Sequence, residues 1–270
     1  RMGEEYLLAS GTRATLDPKI NLTGAEWIAA AEVQRTTHNA VIRAAAATEL
    51  PTERVTEGYR AHVTKDKVQL RKVKAIGAIE LSATPVALDT SANPAASEAL
   101  EEAAASFRFE DFLLDSAERH LLDRLTFLHE QAGWPDVSRG DYSVEVGEVL
   151  RGASISKCDM RAAMMRNLPW ELAGKLEQSA PERLAVPSGS RPKISYETGR
   201  PVVRVKLQEC FGLATSPEIS GVRVLFHLLS PAGRELAVTD DLRSFWDGPY
   251  QQVRKEMRGR YPKHPWPEDP

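Results

Sequence analysis

Residues 67–81 read KVQLRKVKAIGAIEL. Val68, Leu70 and then Val73 are separated by Gln69, Arg71 and Lys72, which makes a strand with one wet face rather than a helix. Similar short apolar runs recur at 6–10, 26–33, 40–48 and 59–63. Turn signals at Gly11, Asp17-Pro18, His38-Asn39 and Lys65-Asp66 separate them. The pattern predicts β structure over 5–88, at the spacing of a small antiparallel barrel. Leu50 to Gly58 is expected to form one short helix between the third and fourth strands. Five strands with one inserted helix is the order of an oligonucleotide-binding (OB) barrel, so residues 1–90 are expected to be an OB-like five-stranded β-barrel. Lys65, Lys67, Arg71, Lys72 and Lys74 give its fourth and fifth strands a basic edge suited to phosphate contact. A charge run is usually just an ordinary solvated face.

Beyond Pro85–Thr90 the hydrophobic period changes. Asn93-Pro94 reads as a helix cap and first residue, ahead of SEALEEAAAS (97–106). FRFEDFLL (107–114) reads as a hydrophobic loop. Asp115 with Glu118 has capping-box spacing, Leu121, Leu122, Leu125 and Leu128 form a buried face, and Gly133 stops the helix. His120 and His129 have no partner at ligand spacing and are expected at the surface or its boundary. Residues 91–141 are therefore a helical connector.

From Tyr142 helices and strands mix. Helices are expected at 144–150, at 156–168 with Asp159 completing a second capping box, and at 169–178. Strands are expected at 192–197 and 201–207 around Gly199, a helical turn at 207–213, and a hairpin of 222–230 with 235–241 around Pro231-Ala232-Gly233. Residues 142–270 thus predict an α+β domain with a small antiparallel sheet, and the whole chain is α+β.

The tail, 242–270, interleaves Arg243, Arg254, Lys255, Arg258, Arg260 and Lys263 with Phe245, Trp246, Tyr250, Tyr261 and Trp266. Pro249 suits a helix start and Gly259 its end. Tyr250, Val253 and Met257 form one apolar stripe, leaving Arg254, Lys255 and Arg258 on other faces. Pro262, Pro265 and Pro267 then force an extended course that an aromatic must pin down. Cations meeting phosphates and rings stacking on bases are how a protein holds a single strand. The plainer alternative is a terminal helix whose rings close a small core and whose charges are solvated.

Composition narrows the rest. The chain has 270 residues and a net charge of −3, so nucleic-acid binding must come from local patches, not a basic coat. No apolar run approaches the ~20 residues of a membrane helix, and no signal peptide is visible. Two distant cysteines, Cys158 and Cys210, form no metal-type pair and fit a reducing cytoplasm. The abrupt opening into a strand-like run reads as a piece of a longer polypeptide, with Arg1-Met2 as a cloning remnant.

No active site emerges. Gly147 and Gly152 have P-loop separation, but Ala153 stands where lysine must neutralise the phosphates. His129-Glu130 is followed by Gly133, not by the second histidine of a zinc helix. There is no Gly-x-Ser-x-Gly elbow. Cys210 with His227 has the chemistry of a nucleophile and base, yet Cys210 sits among Leu207, Phe211 and Leu213 and reads as a buried inert thiol.

Three stretches carry a family resemblance: NLPWELAGKLEQSAPERLAVPSGSR (167–191), VRVKLQECFGL (203–213) and LFHLLSPAGRELAVTDDLRSFWDGPYQQVRKEMRGRYPKHPWPEDP (225–270). They closely resemble the C-terminal region of the HrpB family, bacterial DExH-box ATP-dependent RNA helicases. Residues 6–16 and 24–34 look like the segment after the helicase core in that family, although its Gly-rich first-strand start is reduced here to Ser10-Gly11-Thr12-Arg13. The resemblance implies a post-motor OB-like domain and an HrpB-type C-terminal domain at 142–270, serving two RecA-like motor domains upstream. ATP and Mg²⁺ are expected only in that motor, so no cofactor is expected here and this region is expected to be non-catalytic. The expected partners are single-stranded RNA or DNA and the motor domains. The alternative is a protein-interaction module that docks a partner or the motor through the same aromatic patch. Expected phosphate contacts are Lys67, Arg71, Lys72, Lys74, Arg204, Lys206, Arg243, Arg254, Lys255, Arg258, Arg260 and Lys263, and Trp246, Tyr250, Tyr261 and Trp266 are the stacking candidates.

Overall fold

Alternation in the first 88 residues produces two sheets. The strands are β1 (Glu5–Leu7), β2 (Arg13–Leu16), β3 (Ile28–Arg35), β4 (Ala40–Ala47), β5 (Thr56–Val63), β6 (Val68–Ile76) and β7 (Ile79–Pro85). The structure is a computed structural model and describes residues 5–22, 24–35, 39–64, 66–88 and 93–270. Expectations that fall on Arg1-Met2, His38, Lys65 and Thr90 lie outside those residues.

The chain divides into two compact units, Arg1–Arg108 with Val146–Lys157, and Phe109–Glu145 with Cys158–Pro270. In the first, one sheet runs β1-β2-β4-β3 and the other β5-β6-β7. β2 and β4 pair in parallel and the other pairs are antiparallel. No closed barrel is found among the described residues; seven strands in two sheets replace the five expected. Three differences account for this. Arg13–Leu16 adds a strand too short to show a period, 67–81 folds into a β6–β7 hairpin, and only a 3₁₀ turn at Thr52–Arg54 stands where a helix was expected. The hairpin turns at Gly77, whose φ of 56° and close approach to the Ala9 carbonyl leave no room for a Cβ. Tyr6, Ala14, Ala40 and Ile42 form one core, and Val68, Leu70, Val73 and Ala75 of β6 are buried too. Helix α1 (Pro94–Ser106), capped by Asn93 as expected, buries Ala96, Ala99, Leu100 and Ala103. The returning segment 146–157 is held by Asp66, whose carbonyl accepts from Ile155 N at 2.8 Å and whose carboxylate accepts from Ser156 N at 2.8 Å.

The second unit starts with α2 (Ser116–Ala132). Asp115 and Glu118 form the expected capping box, and Gly133 closes the helix in the left-handed region at φ 69°. His120 is buried, not superficial, and its Nε2 has no hydrogen-bond partner. Burial, with Lys193 and Arg124 nearby, pushes its pKa down. Next come α3 (Ser143–Leu150), whose residues from Val146 belong to the first unit, α4 (Met160–Arg166), α5 (Trp170–Ala173) and α6 (Leu176–Ser179). Asp159 is itself the cap of α4, not the partner three residues after an earlier cap, so the expected helix at 156–168 begins at Met160.

Then follow β8 (Ile194–Ser195), β9 (Val202–Lys206), β10 (Glu218–Ile219), β11 (Val222–Arg223), β12 (Leu225–Leu229), β13 (Glu235–Thr239), α7 (Leu242–Asp247) and α8 (Pro249–Arg260). The main sheet runs β13-β12-β9-β8. It is mixed, not antiparallel, because β9 and β12 pair in parallel with Phe226 opposite Val203. One face of it, with Ile194, Val203, Val205, Phe226 and Leu228, is fully buried. Tyr196, just past β8, meets Phe127 of α2 at a centroid distance of 5.1 Å. Each such side chain contributes roughly 1.5–3 kcal/mol. Arg204, Lys206 and His227 project from the opposite face, by the period of two. Arg124 of α2 is buried completely, and it ties down the stretch after α6 by donating to Ala180 O at 2.7 Å, to Glu182 at 3.0 Å and to Glu177.

Candidate nucleic-acid interface

Local chemistry fixes the tail. Pro249 opens α8, and the buried Tyr250 and Met257 face the unit's core. Gly259 lies within the helix, which runs on to Arg260 with Tyr261 as its cap, so the expected stop at Gly259 falls one to two residues early. Past Tyr261 the chain folds back along α8. Trp266 is buried and donates Nε1–H to Tyr261 O at 3.0 Å, while Tyr250 donates its hydroxyl to Pro267 O at 2.8 Å. The pinning aromatic foreseen for the prolines is therefore Trp266.

These contacts reassign most of the stacking candidates. Trp246 is buried and donates Nε1–H to Leu213 O at 2.9 Å. Its ring meets Tyr250 edge-on at 5.4 Å, with Phe211 and Phe245 in the same cluster. Desolvation raises the pKa of Tyr250. Trp246, Tyr250 and Trp266 thus present no free face to a base, and the aromatic patch that was to dock a partner is core. Tyr261 alone among the four remains partly open, beside His264.

Ion pairing divides the cations. In the first unit, Lys72 and Lys74 lie 3.1 and 3.0 Å from the two oxygens of Glu57. Hydrogen bonds from Lys74 and Lys72 hold the Glu57 carboxyl below the usual range and raise the pKa of Lys72. Arg71 shares Glu80 with Arg60 and His62, at 3.9, 2.9 and 3.5 Å. Only Lys67 of that expected edge is exposed without such a partner among the described residues. In the second unit Arg254 is structural: it donates Nε–H to Trp266 O at 2.9 Å and pairs with Glu268 at 3.0 Å, clamping the tail. Arg204 sits 3.7 Å from Glu235, which His227 approaches at 2.6 Å. Lys206, Arg243, Lys255, Arg258, Arg260 and Lys263 are exposed and have no ion pair among the described residues.

Among the described residues, the catalytic pairings weighed in the sequence are not assembled. Burial pushes the Cys210 thiol up to about 12, and His227 faces Glu235. Gly147 lies inside α3, not in a phosphate loop. His129 Nδ1 contacts Trp134 O at 2.6 Å. No cluster of three metal-ligating side chains occurs among the described residues, nor is any helix there long and apolar enough to cross a membrane.

Comparison with known proteins names this arrangement. Residues 143–270 match the family HrpB_C, described as ATP-dependent helicase C-terminal. That stretch is similar to the C-terminal region of HrpB-type helicases. It is 40% identical over 164 residues to the ATP-dependent RNA helicase HrpB of Escherichia coli K12, a match spanning 60% of this chain and 18% of that protein. A crystal structure of the E. coli DExH-box NTPase HrpB superposes with a TM-score of 0.61 at 29% identity, covering 99% of this chain and 36% of that one. A crystal structure of the E. coli DEAH/RHA helicase HrpB gives 0.51 at 25%, covering 97% and 35%. The chain therefore spans about a third of the HrpB chains it superposes on.

Every unpaired cation of the tail lies inside the HrpB-matched segment. Two exposed residues of that segment escaped the sequence reading. Trp170, at the start of α5, is 80% exposed, and Val144 is 54% exposed. A lone tryptophan directly after Pro169 was the available signal. The second omission is Arg234, which lines a cavity of about 220 Å³ with Arg260 and Tyr261, beside Val253 and Met257. A cavity of about 490 Å³ between Phe109, Phe112, Leu122 and Val137 involves none of the expected contact residues.

Proposed function

We propose that this chain is a non-catalytic C-terminal region of an ATP-dependent RNA helicase of the HrpB type, and that its second unit grips single-stranded nucleic acid for the motor. The observation that carries the reading is the set of unpaired, exposed cations along α8 and the chain after it, Lys255, Arg258, Arg260 and Lys263. A lysine or arginine already neutralised by a carboxylate releases few counterions on meeting a phosphate; a free one releases its share. The free cations therefore favour the tail over the N-terminal basic edge, where Glu57 and Glu80 compete. ATP and Mg²⁺ belong, in this reading, to RecA-like domains outside this chain. The OB-like character of the first unit likewise rests on the family resemblance.

Titration of the 270-residue chain with a labelled oligo(rU) at two salt concentrations tests this. Four phosphates on a single strand give a slope near −2.8, so a fourfold rise in salt should weaken binding about 50-fold. No binding at low salt, or binding indifferent to salt, overturns it. A second reading, docking of a protein partner, is favoured by Trp170 and Val144, since an exposed tryptophan is a typical interface anchor. It predicts salt-insensitive capture that Trp170→Ala abolishes.

A further inference from the structure

The cavity between the β12–β13 turn and α8 gathers groups of complementary chemistry. Arg234 is held at the base of that turn, where its backbone N–H donates to Ser230 Oγ at 3.1 Å and its carbonyl accepts from Ser230 N at 2.7 Å. Arg260 and Glu256 reach the same space from α8, and Tyr261 closes one side. Residues 253, 256, 257 and 260 share one helical face, whereas Lys255 and Arg258 point elsewhere. Neither Arg234, Arg260 nor Glu256 has an ion-pair partner among the described residues. The remaining acid, Glu235, is engaged by His227 at 2.6 Å. Two free guanidinium groups thus face one free carboxylate and a partly open phenol ring.

Resting on the nucleic-acid reading above, we propose that this cavity is a ribonucleotide subsite that makes the grip selective for RNA over DNA. Arg234 and Arg260 take the phosphate, whose planar recognition suits guanidinium groups. Glu256 accepts a hydrogen bond from the ribose 2′-hydroxyl, the group by which proteins tell RNA from DNA. Tyr261 offers its ring to the base. A volume of about 220 Å³ is small against the ~300–1,000 Å³ of whole-ligand pockets, so it holds phosphate and sugar and leaves the base outside over the ring. Glu256 also has an electrostatic effect: it repels any phosphate, and only a 2′-hydroxyl compensates for that repulsion.

The test measures binding of the full chain to oligo(rU) and oligo(dU) of equal length. The wild type should prefer RNA. Glu256→Ala should bring the RNA-to-DNA affinity ratio to about one, with DNA binding tightened by the loss of repulsion. Arg234→Ala with Arg260→Ala should make the salt slope shallower by roughly 0.7, the share of the one phosphate they hold together. Lys255→Ala with Arg258→Ala, removing equal charge from another face, should weaken both ligands and keep the ratio. If the wild type binds neither oligonucleotide, the nucleic-acid reading itself fails and the subsite with it. If it binds RNA but the ratio and slope survive the Glu256 and Arg234/Arg260 substitutions, the subsite alone is refuted.

Discussion

Arg124 permits a calculation with an unusual sign. Its side chain is 0% exposed, while its partners Glu177 and Glu182 are 69% and 46% exposed. The carboxylates lose little solvation in the pair and the guanidinium loses nearly all of it. Converting both glutamates to glutamine leaves a buried cation without a counter-charge, a situation that costs about 3–5 kcal/mol. The lower end applies because the partners' side of the pair is open to water, giving about 3 kcal/mol. Arg124→Met removes the charge, fills a similar volume and strands mainly the Ala180 carbonyl, a loss of about 1–2 kcal/mol. Removing the two exposed acids should therefore destabilise more than removing the buried base. At about 2–4 °C per kcal/mol for a chain of this size, the double variant should lose roughly 6–12 °C and Arg124→Met roughly 2–8 °C. Calorimetry or urea unfolding reads the difference. An Arg124→Met variant less stable than Glu177→Gln with Glu182→Gln would refute the desolvation argument.

Arg254→Ala should cost about 1–2 kcal/mol by releasing the tail, exposing residues after Tyr261 to protease, and should leave the salt slope of oligonucleotide binding unchanged; a lower slope at constant Tm would return Arg254 to the phosphate contacts. Cys210 should resist thiol reagents in the native state at pH 8 and react only on unfolding, because its thiol is held near 12 against an ordinary 9.0; rapid native labelling contradicts this. Burial also raises Tyr142 to about 12 from 10.0. Both groups bind their protons more tightly in the folded state, so this stability is present in full below pH ~9 and is lost as pH climbs towards 12. Tm measured from pH 8 to 11 should be flat at first and then fall, and a rise across that span would be inconsistent.

Local chemistry was the readable part of the fold. Asp115 with Glu118, Asn93 before Pro94 and Pro249 each satisfy or spare helix-end N–H groups within a few residues of themselves, so spacing alone reveals them. Pairings between distant segments were not readable. Nothing at 202–206 announces a parallel partner at 225–229, and a four-residue strand such as Arg13–Leu16 shows too little period to be recognised. The candidate site divides in the same way. That Lys255 and Arg258 leave the apolar stripe follows from helical geometry, but the capture of Lys72 and Lys74 by Glu57 depends on β5–β6 register. Trp246, Tyr250 and Trp266 looked equally fit for stacking or for the core, and only their NH and OH partners across the fold decide for the core.

The central claim is that the tail's free cations hold a single strand. Its most direct test replaces Lys255, Arg258 and Lys263 together by alanine and follows both Tm and the salt dependence of oligo(rU) binding. The account predicts an unchanged Tm, because these side chains are exposed and unpaired, and a slope shallower by roughly 2, at 0.7 per lost phosphate contact. Wild-type affinity and slope in the triple variant would contradict it.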